Sequence, residues 1–530
     1  MNGERQTGGQ RYTSEAYRST EGTRIWKEDG GYLSYDGDGN LWINDLRVID
    51  AIRMYGSPLE IVDTTIIEDR CKKWQELSQT VARQVGYDPA LLEYFYAAKA
   101  NMSAEIAAAA YRSGWNAETS GDQDLEDIRW MEKQGLIDKN KTRIICNGFK
   151  LPPQVYSLPE ENPTDIRSRV KFEDSSQRMR GAFDGVSYAE NITLMKSLGF
   201  DITPILDEGE LYFFAQANEV PQMDVGLRFK MGKVSNMADL STYVSRHGMS
   251  WEQIQTEADT IDRIDHLNLK IFHAMVGAAE TMPVDTFVEQ LLFAADRYFD
   301  LRQRHPSLDT FNMGGGMPPL GEKYDHKRFL KMFLGGMKQM AEARGLPTPR
   351  ISFEFGSYVA SEAGFHAFKL VTRKSNNVDA NGNPETWALG DLGLMAAIPD
   401  MLVIGKTDFR FLAVNNANAK AIPVRIGDLT CDSDGRWPSK IMEPAKVMVP
   451  DVKYDQYMVV GPVGAYQEIL AGIRGAHHCG VLEAAELIIE RRSDGTHGRL
   501  MPRQTRQEAR DLLGYDQESL LALRSCVGKS

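Results

Sequence analysis

Cysteine is scarce in this chain of 530 residues: Cys71, Cys146, Cys431, Cys479 and Cys526 are scattered, odd in number and never spaced as CxxC. That usage excludes a disulfide-stapled scaffold, gives no metal framework and suits a reducing compartment. No apolar run reaches membrane-spanning length, and the polar start from Met1 to Lys27 lacks the hydrophobic centre of a secretion signal. The expectation is a cytoplasmic protein whose residues 1–27, rich in Gly, Ser, Thr and Arg, are poorly ordered. Positive charge is also in deficit. Lys and Arg number 61 against 74 Asp and Glu, a net charge of -13, which argues against a nucleic-acid partner. Internal repeats and low-complexity segments are absent as well.

What the chain does have is enough apolar content, 42% of its residues, for a large core, and a length that makes two domains the natural expectation. Short strands around the turn Asp36-Gly37-Asp38-Gly39-Asn40 and a helix through Arg53 are predicted over 28–56, joining a later β domain. An extended segment, Glu60 to Thr64, follows. Over 57–358 apolar runs then alternate with helical patterns. The runs are Tyr94–Lys99, Trp115–Thr119, Arg143–Asn147, Ile202–Leu206, Val225–Lys230, Leu267–Ala274, Thr310–Met313 and Ile351–Glu354; the helices include Leu125–Lys133, Ala189–Leu198, Val284–Gln303 and Lys327–Ala343. Eight such units are the number that closes a (β/α)8 barrel, with an open doubly wound sheet as the structural alternative. A polar stretch from Leu151 to about Ser187 reads as an insertion at the rim or at an interface. Over 359–530 the alternation stops. Short strands at Met401–Ile404, Phe409–Val414, Ile422–Leu429, Lys446–Val449 and Tyr457–Val460 predict a mostly antiparallel β domain, closed by helices at Ala484–Arg492 and Arg506–Leu523.

In a barrel of this kind chemistry gathers where the strands end, and there the sequence puts Lys99, Asn147, Arg228, His273, Gly314-Gly315-Gly316 and Glu354. A buried lysine has its pKa lowered, and a neutral amine attacks an aldehyde to form a Schiff base. Three successive glycines after a strand let backbone N–H groups approach a phosphate. Each feature alone has an ordinary explanation: a snorkelling lysine, a tight turn, a rim salt bridge for Glu354, a core histidine for His273. Together, an aldehyde-accepting amine and a phosphate anchor describe pyridoxal phosphate. That cofactor needs a carboxylate near its pyridine nitrogen and a group stacked on its ring, for which Glu354 and His273 are placed.

The set Tyr96-Ala97-Ala98-Lys99-Ala100-Asn101, Phe272-His273, Gly314-Gly315-Gly316, Glu354-Phe355-Gly356, Cys431-Asp432 and Gly464-Ala465-Tyr466 falls in the order found in the fold-type III, alanine-racemase-like pyridoxal phosphate decarboxylases. Within them the chain most resembles the biosynthetic arginine decarboxylases, through Ile145-Cys146-Asn147-Gly148-Phe149-Lys150, Gly226-Leu227-Arg228-Phe229-Lys230, Thr430-Cys431-Asp432-Ser433-Asp434-Gly435 and Val463-Gly464-Ala465-Tyr466-Gln467-Glu468-Ile469-Leu470. The resemblance implies a barrel plus a β domain, and a homodimer with its active sites at the interface. It implies that Lys99 carries the cofactor, His273 stacks on it, Glu354 holds its pyridinium, and Gly314, Gly315, Gly316 and Tyr466 bind its phosphate, with Arg228 near. Cys431, from the partner chain, would protonate the carbanion left when carbon dioxide departs, and Asp432 would receive the positive tail of an amino-acid substrate.

The chain also departs from the family pattern. Ser357 stands where the family usually has arginine, which removes a charged contact and weakens a diaminopimelate reading. Ala274 to Ala279 replaces a segment that carries a phosphate-binding serine. The acid often used to grip a diamine falls near Leu392, with Asp391 one place off. The sequence therefore points to decarboxylation of a basic amino acid, arginine first. Ornithine, lysine, diaminopimelate or a modified amino acid are alternatives, as are a homologue that has lost the activity and one that racemises or cleaves its substrate.

Overall fold

The computed structural model of the chain describes residues 32–150, 187–215, 222–231, 246–279, 282–319, 324–379, 381–405, 409–438 and 446–515. The expectations for 1–27, for the insertion over 151–186 and for a helix beyond 515 lie outside these residues.

Eight parallel strands close a barrel in chain order: Leu92–Ala97, Asn116–Thr119, Arg143–Cys146, Asp201–Leu206, Met223–Phe229, Leu267–Ala274, Thr310–Asn312 and Arg350–Phe355. Closure is made by the eighth strand on the first, with Phe353 opposite Tyr94 and Glu354 opposite Phe95, so the open-sheet alternative is set aside. The strands are short and apolar because both faces are covered, by helices outside and by side chains inside. Phe95, Ile145, Ile205 and Ile271 form a separate apolar plug within the barrel. Side chains alternate along a strand, so residues two places further on point the same way. Above Ile145 comes Asn147, and above Ile271 comes His273: the barrel's pleat delivers polar groups to its mouth.

The helix Thr64–Val85 leads into the first barrel strand. Asp63 caps it, its carboxylate accepting from the Thr65 N–H at 2.9 Å. Trp74 on its inner face is fully buried and meets Phe353, Phe355 and Tyr358 edge-on, with ring centroids 4.8 to 5.6 Å apart. This packing fixes the helix against the eighth strand, at whose end Glu354 stands. Burying such aromatic surface contributes on the order of 2–3 kcal/mol per ring.

The second sheet has ten strands in mixed, mostly antiparallel order, along the path Arg436–Trp437, Ala421–Gly427, Pro384–Gly390, Gly364–Val378, Leu59–Asp63, Ala485–Arg492 and Gly495–Met501. Several expectations are corrected here. Leu59–Asp63, expected within the barrel's range, is a fully buried strand of this sheet, antiparallel to Gly364–Val378 and parallel to Ala485–Arg492. Ala485–Arg492, expected as helix, is a strand: Leu487, Ile488 and Ile489 are all buried, and a short run covered on both faces cannot be told from a buried helix by periodicity. Met401–Ile404, expected as strand, lies in the helix Asp400–Val403 and the residue after it; Val403 and Ile404 are exposed, so no sheet face claims them. The N-terminal strands form a three-stranded sheet of their own. It leans on the β domain through the Leu41 N–H to Val414 O, at 2.8 Å, and the Tyr35 hydroxyl to Ala413 O, also 2.8 Å. Among the described residues no helix is long and apolar enough to cross a membrane.

Candidate active site

The first barrel strand stops at Ala97, and Lys99 sits just beyond it in the 3-10 turn Ala98–Ala100, not in the strand as expected. Its side chain is exposed at the barrel mouth. The anticipated lowering of its pKa is reversed. The Glu118 carboxylate is the largest influence and holds the ammonium; Tyr466 and Glu354 add to it, and together they outweigh desolvation and the nearby Arg228.

Glu118 ends up here because the second barrel strand, Asn116–Thr119, turns Thr119 outward to the Tyr188 hydroxyl at 2.7 Å and so turns the preceding side chain to the interior. It is fully buried, and burial pushes its carboxyl up to about 7 against the pull of Lys99. Its Oε1 accepts from Asn147 Nδ2 at 2.8 Å, while its Oε2 has no hydrogen-bond partner among the described residues. Asn147 is shared: the same amide nitrogen donates to Glu354 Oε2 at 2.9 Å. Asn312 Nδ2 donates to the other oxygen of Glu354, Oε1, at 2.6 Å. Burial works to raise Glu354. Contact with His273, the Asn312 amide and the Lys99 ammonium overcome it, so the carboxylate stays ionised below its ordinary range.

His273 stands beside Glu354 with Nε2 3.5 Å from Oε2, and neither ring nitrogen has a hydrogen-bond partner among the described residues. Burial lowers its pKa, which keeps the imidazole neutral. Strand register sets Arg228 and Asn312 on either side of it. Arg228 is half-buried and makes no hydrogen bond through its guanidinium with any described residue.

The three glycines follow the seventh strand. Gly314 and Gly316 have φ of +71° and +83°, and a Cβ on Gly315 would lie 2.5 Å from the Glu354 carbonyl oxygen. No residue with a side chain fits this turn without moving backbone. The Gly314 N–H is bound by Asn312 Oδ1 at 2.8 Å, and the Gly315 N–H points at Met275 Sδ, 3.3 Å away. Met275 lies in the segment Ala274 to Ala279 and covers the cradle with a weak acceptor.

Tyr466 closes the mouth from the β domain. Its N–H donates to Ala100 O at 2.6 Å, and its φ of +67° is one that a bulky residue rarely adopts. Asn101 Nδ2 reaches back to Gly464 O at 3.2 Å, so the Lys99 turn and the Gly464-Ala465-Tyr466 segment hold each other.

The structure therefore gathers Lys99, Arg228, His273, Gly314 to Gly316, Glu354 and Tyr466. Cys431 and Asp432 stand apart from them in sequence and sheet, on the loop between the strands Ala421–Gly427 and Arg436–Trp437, where Asp432 Oδ2 contacts His478 Nε2 at 2.9 Å. Asp391 is committed to structure, accepting from the Lys369 N–H at 2.8 Å and the Ser57 hydroxyl at 3.1 Å. Sequence reasoning passed over Glu118 and Asn312. The legible signal was a glutamate inside a four-residue barrel strand, where a charge has no reason to be unless it faces the mouth.

No family model and no curated protein matches the sequence. Solved structures do match. The biosynthetic arginine decarboxylase of Campylobacter jejuni superposes with a TM-score of 0.73 at 15% identity, over 96% of this chain and 92% of that one. The fold is that of the fold-type III decarboxylases. Diaminopimelate decarboxylase of M. jannaschii, solved with L-lysine, gives 0.69 at 15% identity, over 91% of this chain and 97% of that one. The lysine/ornithine decarboxylase of Vibrio vulnificus, solved with putrescine, gives 0.55 at 15% identity, over 80% and 93%. Among the described residues no group of three or more His, Cys, Asp or Glu side chains is arranged to hold a metal ion.

Proposed function

We propose that the chain is a pyridoxal phosphate-dependent decarboxylase acting on a basic amino acid, with arginine the first substrate to test. One observation carries this reading: an accessible amine, Lys99, shares the barrel mouth with a neutral buried imidazole, an ionised carboxylate fixed by two amides, and a glycine cradle. These residues fit the cofactor. The ring nitrogens of His273 are buried and have no hydrogen-bond partner among the described residues, as suits an imidazole lying against a flat ring, and the glycine turn brings backbone to the mouth with no Cβ in the way. The half-buried guanidinium of Arg228, with no hydrogen bond to any described residue, would supply a cation for the same anion.

Bound there, pyridoxal phosphate would supply an electron sink for the pair left at Cα when carbon dioxide departs. The rest falls to the chain. Lys99 would bind the aldehyde. Glu354 would hold a proton at the pyridine nitrogen, because an ionised carboxylate in a low-dielectric site favours the cation beside it. Glu118 would hold the proton on Lys99 Nζ whenever that amine is free. Cys431 would deliver a proton to Cα, a task open to a thiol because its S–H is a proton donor. Since Cys431 is exposed on the β domain, this role requires that a second copy of the chain present it.

The test is direct. The purified protein should show visible absorbance from bound cofactor and release carbon dioxide from L-arginine in a panel of L- and D-amino acids. Lys99→Ala should abolish both; an unchanged absorbance in that variant would end the reading. The shared site has its own test. Inactive Lys99→Ala and Cys431→Ala variants, mixed and allowed to exchange subunits, should regain about a quarter of wild-type activity, since half the dimers are mixed and each holds one intact site. No recovery would count against Cys431 acting across chains.

A further inference from the structure

A cavity of about 730 Å³ lies in the β domain, where the C-terminal segment packs over the strap that follows Cys479; no barrel residue of the chain lines it, and Leu429 and Thr430, just before Cys431, do. Three arginines line it: Arg503, Arg506 and Arg510. In a chain of net charge -13 such a cluster is unusual, and the acids interspersed with it do not neutralise it. The Glu508 carboxylate is turned back on the helix start, accepting from the Thr505 N–H at 2.6 Å and its hydroxyl at 2.9 Å. Asp511 accepts from Gln507 Nε2 at 2.6 Å. Arg503 and Arg506 make no hydrogen bond or ion pair through their side chains with any described residue, and Arg510 uses one N–H on Gln507, at 2.8 Å. The one acid in the lining, Asp391, already accepts two hydrogen bonds from other partners.

Apolar side chains complete the lining: Leu392, Leu429, Val481 and Leu482 from the β domain, and Ala509 beside the arginines. Behind part of it lies a second, smaller cavity lined by Glu60, Glu468 and Glu483. Those acids oppose an anion less than their number suggests, because burial raises Glu60 well above the carboxylate range and pushes Glu468 up to about 7.

We propose that this cavity binds a small organic or phosphate oxyanion carrying at least two negative charges, at a site outside the chain's own barrel mouth. Guanidinium groups present several N–H donors in a planar fork that matches carboxylate and phosphate oxygens, and two of these three make no side-chain hydrogen bond among the described residues. The apolar side chains accommodate a short carbon skeleton between the charges.

The experiment titrates citrate and inorganic pyrophosphate separately into the purified full chain at constant ionic strength, by calorimetry, with the two probes distinguishing carboxylate from phosphate preference. Saturable binding at one site per chain by either probe is expected, weakened at least tenfold in the Arg503→Gln/Arg506→Gln double variant and unchanged in Arg53→Gln, an exposed arginine elsewhere. Cys479 lines the cavity and is exposed, so the bound probe should also slow its alkylation by iodoacetamide, read by peptide mapping. Binding that is lost in Arg228→Gln but intact in the double variant would belong to the barrel mouth and would overturn the proposal. Absence of saturation into the millimolar range, or full alkylation of Cys479 at saturation, would overturn it too.

Discussion

Glu118 is the residue on which the electrostatics of the mouth turn. Its carboxylate is the main reason the Lys99 ammonium is held above its ordinary range, and Glu118 itself titrates at about 7, so the hold is complete only above that pH. An amine must lose its proton to attack an aldehyde. Replacing Glu118 by Gln keeps the hydrogen-bonding shape for Asn147 and removes the charge. The pKa of Lys99 should then fall, and the pH at which the ligand-free chain reacts with pyridoxal phosphate at half its maximal rate should move downward. Stopped-flow absorbance between pH 7 and 10 reads this; an unmoved or raised midpoint would show that Glu118 does not control the amine. The expectation from sequence was the reverse, a lysine lowered by burial. Lys99 itself was legible, as a polar residue ending an apolar run. The sign of its shift was not, because it depends on a carboxylate from the neighbouring strand that no local pattern connects to it.

At the scale of elements, the barrel was readable and the second sheet much less so. Barrel strands are local units, each followed by its helix, and the alternation survives in the sequence as short apolar runs such as Arg143–Cys146 between amphipathic stretches. The β domain is assembled from distant pieces. Leu59–Asp63 pairs with a strand some four hundred residues later, and Gly364–Val378, its central strand, runs on into the polar sequence Thr372 to Asn377, which no apolar pattern marks as strand. The glycine turn after the seventh strand was legible as a turn; what it is built against was not. A Cβ on Gly316 would meet Gly277 O at 2.3 Å, whereas a Cβ on Gly345, at a similar positive φ of +64°, would meet nothing within 4 Å. Gly345→Ala should therefore cost only the backbone term, about 1–2 kcal/mol. Gly316→Ala should cost more than that and weaken cofactor retention at least tenfold. Urea denaturation of both variants checks the difference, and equal losses would mean that the cradle yields.

At the scale of the molecule, one strand pair of the second sheet concentrates acid. Glu60, Glu468 and Glu486 lie together where Leu59–Asp63 and Ala485–Arg492 pair, and burial, the first cause for each, raises all three: Glu468 to about 7, Glu486 to about 8, Glu60 well above the usual range. Glu105 and Glu483 add their repulsion. The charges facing the cluster from neighbouring elements are Arg499, 3.6 Å from Glu105, and Arg474, 3.5 Å from Glu483, with His366 3.7 Å from Glu60 and Asn101 Nδ2 3.5 Å from Glu468. A carboxyl whose folded pKa is raised binds more protons folded than unfolded between about 4.3, its unfolded value, and the raised value. The stability this group contributes is complete below about 4.3 and is lost as pH climbs toward 8. Glu486 separates this effect from catalysis best, because Glu468 touches the Lys99 turn through Asn101 and Glu486 does not. Glu486→Gln should match the wild type near pH 4.5 and melt at a higher temperature at pH 8, the gap opening mainly above pH 5. Calorimetric melting from pH 4.5 to 8.5 reads the difference directly, and since every other titrating group is common to both proteins, parallel curves would mean that Glu486 is not protonated in the folded chain.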